Sequence, residues 1–119
     1  MRDHTKLTAF NLADQLTLTI YRITQTFPRE EMFGLVSQMR RAAVSIASNI
    51  VEGCARESQA EYVQFLNIAY GSSRELEYQV SLACRLGYIA GGDEVRASCD
   101  EVSKVLNGLI RSLRTEPRR

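Results

Sequence analysis

The 119-residue chain has one histidine, His4, close to its start. That scarcity excludes much chemistry. A di-metal carboxylate centre in a helical bundle needs Glu-x-x-His pairs on inward faces, and no such pair exists. Hydrolytic triads need a well-placed histidine base, so an enzyme of that kind is not expected. Nor is a metal or any other cofactor. There are three cysteines, Cys54, Cys84 and Cys99, an odd number with no Cys-x-x-Cys spacing. They read as reduced thiols of a cytoplasmic protein. Cys84 and Cys99 fall at helical apolar positions, as small core residues do. Gly91-Gly92 is an isolated connector and not a phosphate loop. No apolar run approaches the ~18 residues that would span a bilayer. The polar start, Met-Arg-Asp-His-Thr-Lys, has no signal-peptide core, so export is not expected. The net charge is only +1, which argues against a dedicated, strongly basic nucleic-acid binder and leaves a local patch open. Strand alternation, low-complexity tracts and 20–50-residue repeats are also missing.

Four segments of helical periodicity are present. Hydrophobic residues make up 45% of the chain and charged residues 24%, a soluble globular balance. The length suits a single domain spanning residues 1–119. The spacing predicts helices over about 6–27, 34–51, 58–86 and 93–115. In the first, Ala9, Ala13, Leu16, Ile20, Ile23 and Phe27 alternate fours and threes. Pro28 stops it, with a short helical turn possible beyond. The third opens on Ser58-Gln-Ala-Glu61, a capping box. It continues through Tyr62, Leu66, Ala69, Ser73, Leu76, Val80 and Ala83 to Gly87, a left-handed stop followed by apolar Tyr88. Gly71 in its middle costs about 1 kcal/mol against alanine, which close helix approach would offset. The fourth, capped by Asp93, is acidic at its start and basic at its end, as the helix dipole favours. Asp100 and Lys104 are an i,i+4 pair. The tail from Pro117 reads as frayed. Short connections give an all-α, antiparallel up-down-up-down four-helix bundle.

The second helix is unusual. From Leu35 to Val51 its only ionisable side chains are Arg40 and Arg41. One seam holds Leu35, Met39, Ala42, Ile46 and Asn49. A second holds Val36, Ala43, Ala47 and Ile50, and Gly53 is the expected stop. A helix apolar or small nearly all round must bury two sides. The second seam is therefore the first candidate for a subunit contact. Val63, Ile68 and Tyr70, off the main seam of the third helix, are the next. Asn49 reads as a register-fixing hydrogen bond, with a ligand contact as the alternative. Glu52, Arg56 and Glu61 read as a polar network at the helix 2–3 turn, or else as a small polar binding site. Arg40 and Arg41 either pair with acids of a neighbouring helix or subunit or project to phosphates. From Val102 onward five basic residues face one acid, and Arg111 and Arg114 are the candidate phosphate contacts there. The five tyrosines read as packing residues with surface hydroxyls.

Several runs stand in a fixed order: Phe-Pro-x-x-Glu-x-Phe-Gly-Leu from Phe27, Ser-Gln-x-Arg-Arg-Ala-Ala-x-Ser-Ile-x-Ser-Asn-Ile-x-Glu-Gly from Ser37, and Glu-Tyr-x-x-Phe-Leu-x-Ile-Ala-x-Gly-Ser from Glu61. Glu75-Leu-Glu77 and Leu86-Gly-Tyr88 follow. Together they resemble the bacterial four-helix-bundle family of 23S rRNA intervening-sequence proteins, over roughly Phe10 to Leu113. The resemblance implies a four-helix bundle that assembles as a homopentameric ring, with no established catalytic residues and an undefined molecular role. A related branch, the accessory variability proteins of diversity-generating retroelements, is strongly basic and binds nucleic acid. This chain departs from that branch in its near-neutral charge. The expected partner is therefore a second copy of the chain, with RNA or DNA as the alternative. Neither a membrane nor a small-molecule substrate is expected.

Overall fold

The computed structural model describes residues 2–115, so the expectation of a frayed tail from Pro117 lies outside the described residues. The protein is all-α. Its helices are α1 (Thr8–Thr24), α2 (Leu35–Cys54), α3 (Gln59–Arg85) and α4 (Asp93–Thr115), with 3-10 turns at His4–Lys6 and Arg29–Glu31. There is no strand among the described residues. The helices in contact are α1 with α2, α2 with α3, α3 with α4, and α4 with α1. Each therefore has two neighbours around one core. The molecule measures 52 × 22 × 20 Å. No described helix is long and apolar enough to cross a membrane.

Most residues of the seams read from the sequence are core, with Ile23 and Asn49 half-buried. Ala13, Ile20, Met39, Ile46, Leu66, Ala69, Leu76, Val80 and Leu106 are fully buried. α1 is shorter than its pattern at both ends. Leu7 is extended, and Asp3 accepts from the Thr5 backbone N–H to cap the first 3-10 turn. Past Thr24 the chain tightens, with Phe27 donating to the Thr24 carbonyl, before Pro28 turns it away. α3 begins with half of the expected capping box: the Glu61 N–H donates to Ser58 Oγ at 3.1 Å. The Glu61 carboxylate closes onto the Ser58 hydroxyl at 3.3 Å. α3 ends on Gly87 at φ +81°. The Tyr88 N–H returns to the Ala83 carbonyl and that of Gly87 to Cys84, a Schellman ending. Asp93 is the first residue of α4 rather than its cap. Gly92 supplies the carbonyl that the Arg96 N–H meets.

Three glycines behave differently from one another. Gly53 does not stop α2, which runs on to Cys54. A Cβ there would sit 3.0 Å from Phe65 Cβ and 3.2 Å from the Tyr62 ring, so Gly53 lets α2 and α3 touch. Gly71 has no such reason, since a Cβ would meet nothing within 4 Å. The expected close approach does not occur at that point. At Gly92 a Cβ would collide with Cys84 Sγ.

At the α1–α2 turn, Glu31 joins two segments. Its Oε1 accepts the Leu35 N–H at 3.2 Å, and its Oε2 accepts the Tyr88 hydroxyl at 2.9 Å. The Tyr88 ring lies 5.4 Å from that of Phe27.

Candidate oligomer interface

Three of the four residues on the second seam of α2 belong to the core of the single chain. Val36 is 6% exposed, and Ala43 and Ile50 are fully buried. They are not available to a second subunit. α2 packs on both α1 and α3, so its buried arc is wide enough to take both seams. Ala47 remains half-buried at the edge. The outward apolar residues of α2 are instead Val44 and Val51, seven positions apart and so on one side of the helix. Leu18 and Tyr21 of α1 are exposed too. Between the helices runs an open groove lined by Phe10, Ala47, Ser48, Asn49, Val51 and Glu52. A sequence signal for this face did exist, in the i,i+7 pair Val44 and Val51, but the stronger core periodicity overshadowed it.

Arg40 follows neither of the two courses open from sequence. Its Nε donates to Thr24 Oγ1 at 3.0 Å and its Nη2 to the Tyr21 carbonyl at 3.3 Å. Its guanidinium lies 4.6 Å from the centre of the Tyr21 ring. It thus ties α2 to the end of α1, using neutral acceptors and a cation–π contact. Arg41 is exposed.

The α3–α4 side carries charges of both signs, with the cations Arg111 and Arg114 near the end of α4. Arg114 donates to Asn67 Oδ1 at 3.4 Å, and Arg111 is exposed one helical turn before it. Arg74 pairs with Glu77 at 3.5 Å, and Lys104 with Asp100 at 3.0 Å. Arg96 and Glu77 share a small groove with Val80, Ser81 and Cys99. Beneath it, the buried Ser103 hydroxyl donates to Glu77 and lies 2.8 Å from that of Ser73. Val63 and Tyr70 are half-buried against the core, whereas Ile68 is exposed.

The polar residues at the helix 2–3 turn form no single site. Asn49 turns back on its own helix, donating to the Ser45 carbonyl at 2.8 Å and to Ser45 Oγ at 3.1 Å. Glu52 pairs with Arg56 at 3.2 Å, and the Arg56 guanidinium covers the Phe65 ring at 4.8 Å. Glu61 serves the cap of α3. The residue that organises this end is Arg2, which has no local sequence signal. Its N–H donates to the Cys54 carbonyl at 3.3 Å, and its Nη1 donates to the Arg56 carbonyl at 3.0 Å. The guanidinium sits 4.0 Å over the Tyr62 ring. Of the two carbonyls at the end of α2, that of Cys54 is thereby met by a backbone N–H and that of Arg56 by a cation, as the dipole favours.

The buried thiols are not poised for chemistry. Burial pushes the Cys99 thiol up to about 12 and raises that of Cys54, and burial also pushes the Tyr62 hydroxyl up to about 12. Low-pKa thiolates are the reactive ones. No cluster of three or more His, Cys, Asp and Glu able to hold a metal exists among the described residues. The raised values have a consequence for stability. Above pH ~9–10 the unfolded chain sheds these protons while the folded chain keeps them, so the unfolded state gains. Stability is expected to be flat below pH ~9 and to fall from there toward pH 12. Urea unfolding at pH 8, 10 and 11 checks this, and Tyr62→Phe should make the fall shallower.

The family model of the 23S rRNA-intervening sequence protein matches residues 5–108. The chain belongs to that family. A crystal structure of a protein of unknown function from the S23 ribosomal protein family of Bacteroides thetaiotaomicron is similar at a TM-score of 0.79. The identity is 25%, over 87% of this chain and 95% of that one. No curated protein matches it. In this intervening-sequence family member, the residues matched include all of α1, α2 and α3 and the α4 residues up to Gly108.

Proposed function

We propose that the protein is a non-enzymatic, cytoplasmic scaffold whose working form is a homo-oligomer, a pentameric ring in keeping with the family resemblance. Each subunit is an antiparallel up-down-up-down bundle. Contacts between the end of one helix and the start of the next support that course. Arg40 of α2 reaches back to Thr24 of α1, and Gln59 of α3 donates to the Leu113 carbonyl of α4. The observation that carries the assembly is the outward apolar character of α1 and α2, where Leu18, Tyr21, Val44 and Val51 are 52%, 41%, 40% and 36% exposed. Apolar surface of this kind beside a groove marks an interaction site. Sedimentation velocity of the wild type is expected to give about five times the 13.4 kDa chain mass. Val44→Asp with Val51→Asp is expected to give a folded monomer, because two carboxylates would be stranded in a dry contact. A wild-type monomer at micromolar concentration would sink the reading.

A second reading has one observation in its favour. Arg111 and Arg114 are both exposed, one turn apart at the end of α4, and a ring would repeat them around its rim, where phosphate contacts sum. This reading makes the protein an accessory that binds ribosomal or other RNA, or DNA. Arg40, held against Tyr21, drops out of that set, while Arg41 stays in it.

A further inference from the structure

The segment before α1 is folded on itself. The Thr5 N–H and hydroxyl both donate to the Asp3 carboxylate. The Lys6 and Leu7 N–H groups return to the Asp3 and His4 carbonyls. No residue of its 3-10 turn, His4–Lys6, is buried. Leu7, extended and partly buried against the core, joins the segment to α1. On the α1 side the Asn11 amide donates to the Thr5 carbonyl at 3.2 Å, and the His4 ring stands edge-on to Phe10 at 4.7 Å. These are short-range ties to the helix that follows.

Across the end of the bundle the attachment is narrower. Among the described residues, every hydrogen bond from this segment to α2 or to the turn beyond it comes from Arg2. Its N–H meets the Cys54 carbonyl, and its guanidinium meets the Arg56 carbonyl and rests on the Tyr62 ring. No ion pair among the described residues involves positions 2–7. Against Arg2 lie Cys54 and Tyr62, only 1% and 3% exposed. Burial raises the Cys54 thiol, and the Tyr62 hydroxyl, Arg2 and Asp3 act on it next, in that order. The charges of the segment therefore sit close to the thiol. A unit that bonds internally and is tied across by one residue opens at low cost, whereas helices that share one core open together.

We propose that residues 2–7 are a strap that swings about Leu7 while the four helices stay folded, with Arg2 as its latch and the Cys54 thiol and Tyr62 ring as the groups it gates. Closed, the strap caps the end of α2 and covers both groups. Open, it frees the Arg56 carbonyl and the face of Tyr62 for another cation and leaves the thiol accessible to modification. Cys99 has no such gate. It is buried six residues into α4, whereas the end of α4 meets Gln59 at the strap's end of the bundle. Its thiol reacts only when the core opens.

The test is maleimide labelling of the intact chain, followed cysteine by cysteine through peptide mass. In urea below the unfolding transition the Cys99 rate is expected to climb steeply. The Cys54 rate should climb with no more than about a third of that slope, because the slope scales with the surface exposed. Ile46→Ala weakens the core and leaves the strap alone, so it should raise the Cys99 rate at least ~10-fold and leave the Cys54 rate unchanged. Arg2→Ala should raise the Cys54 rate at least ~10-fold with helicity retained. Equal urea slopes, or a Cys54 rate that rises with that of Cys99 in Ile46→Ala, would overturn the strap as a separate unit. An unchanged Cys54 rate in Arg2→Ala would overturn the latch. The Cys54 rate should also be the same at two protein concentrations. A fall at the higher one would make a subunit contact the cover and overturn the gate.

Discussion

Replacing Ile46 by alanine is expected to lower the thermal unfolding midpoint by about 8–20 °C. Ile46 is fully buried in the middle of α2, where the helix is held by α1 on one side and α3 on the other. Removing buried methyl and methylene groups costs their transfer free energy plus a cavity term, about 2–5 kcal/mol for isoleucine to alanine. With an unfolding entropy of about 2.1 cal/mol/K per residue, 1 kcal/mol shifts the midpoint of a chain this long by roughly 4 °C. Collapse of the site is limited because the neighbours are pinned. Arg40 ties one part of α2 to Thr24, and Ser45 meets Ser72 of α3 at 2.8 Å. Val44→Ala, two positions away and 40% exposed in the single subunit, is the matched control and, read at a dilution at which the oligomer has dissociated, should change subunit stability by no more than ~0.5 kcal/mol. Thermal scans of both variants at one protein concentration give the comparison, since assembly makes the midpoint concentration-dependent. An Ile46→Ala shift no larger than that of Val44→Ala would mean that α2 relaxes into the gap.

The contrast between Ile46 and Val44 shows which part of the fold was legible in the sequence. Periodicity identifies the side of a helix that faces the core: on the first seam of α2, Leu35, Met39, Ala42 and Ile46 are buried, while its last member, Asn49, is half-buried. How wide the buried arc is depends on the number of neighbours, which a single helix does not encode. With neighbours on both flanks, α2 buries Val36, Ala43 and Ile50 as well. The outward face then narrows to Val44 and Val51. Charge scarcity in α2 correctly marked a helix with much to bury, yet most of that surface is spent inside one subunit. Arg40 shows a second limit. Its partners are a threonine hydroxyl, a carbonyl and a tyrosine ring, none of which stands out in a search for opposite charge. Arg2 shows a third, because its contacts with Cys54 and Arg56 join positions more than fifty apart in the chain. Local signals such as the Ser58 cap and the Gly87 stop were legible because their partners lie within a few residues.

Gly53→Leu is expected to cost about 3 kcal/mol and to loosen the end of the bundle where Arg2 docks. The reason is geometric. A Cβ at residue 53 would meet Phe65 Cβ at 3.0 Å, the Tyr62 ring at 3.2 Å and the Tyr62 carbonyl at 3.3 Å. Two of those neighbours cannot swing aside, since one is a Cβ fixed to α3 and the other is the α3 backbone itself. A leucine must therefore push α2 away from α3, an overpacking that costs about 1–3 kcal/mol and here falls at the upper end, about 3 kcal/mol. The displacement falls one residue before Cys54, whose carbonyl accepts from Arg2, and beside the ring on which the Arg2 guanidinium rests. Gly53→Ala separates two opposing effects. Alanine gains about 1 kcal/mol in helix propensity, and the close contact takes it back, so the net change is expected to be near zero. Gly71→Ala provides the reference, because a Cβ there meets nothing within 4 Å. It should show the propensity gain alone, about 1 kcal/mol of added stability. Urea unfolding of the three variants ranks them as Gly71→Ala most stable, Gly53→Ala near wild type and Gly53→Leu least stable. Equal gains for the two alanines would mean that α2 and α3 are not in tight contact at Gly53, and the account of why α2 carries a glycine in its last turn would fall with it.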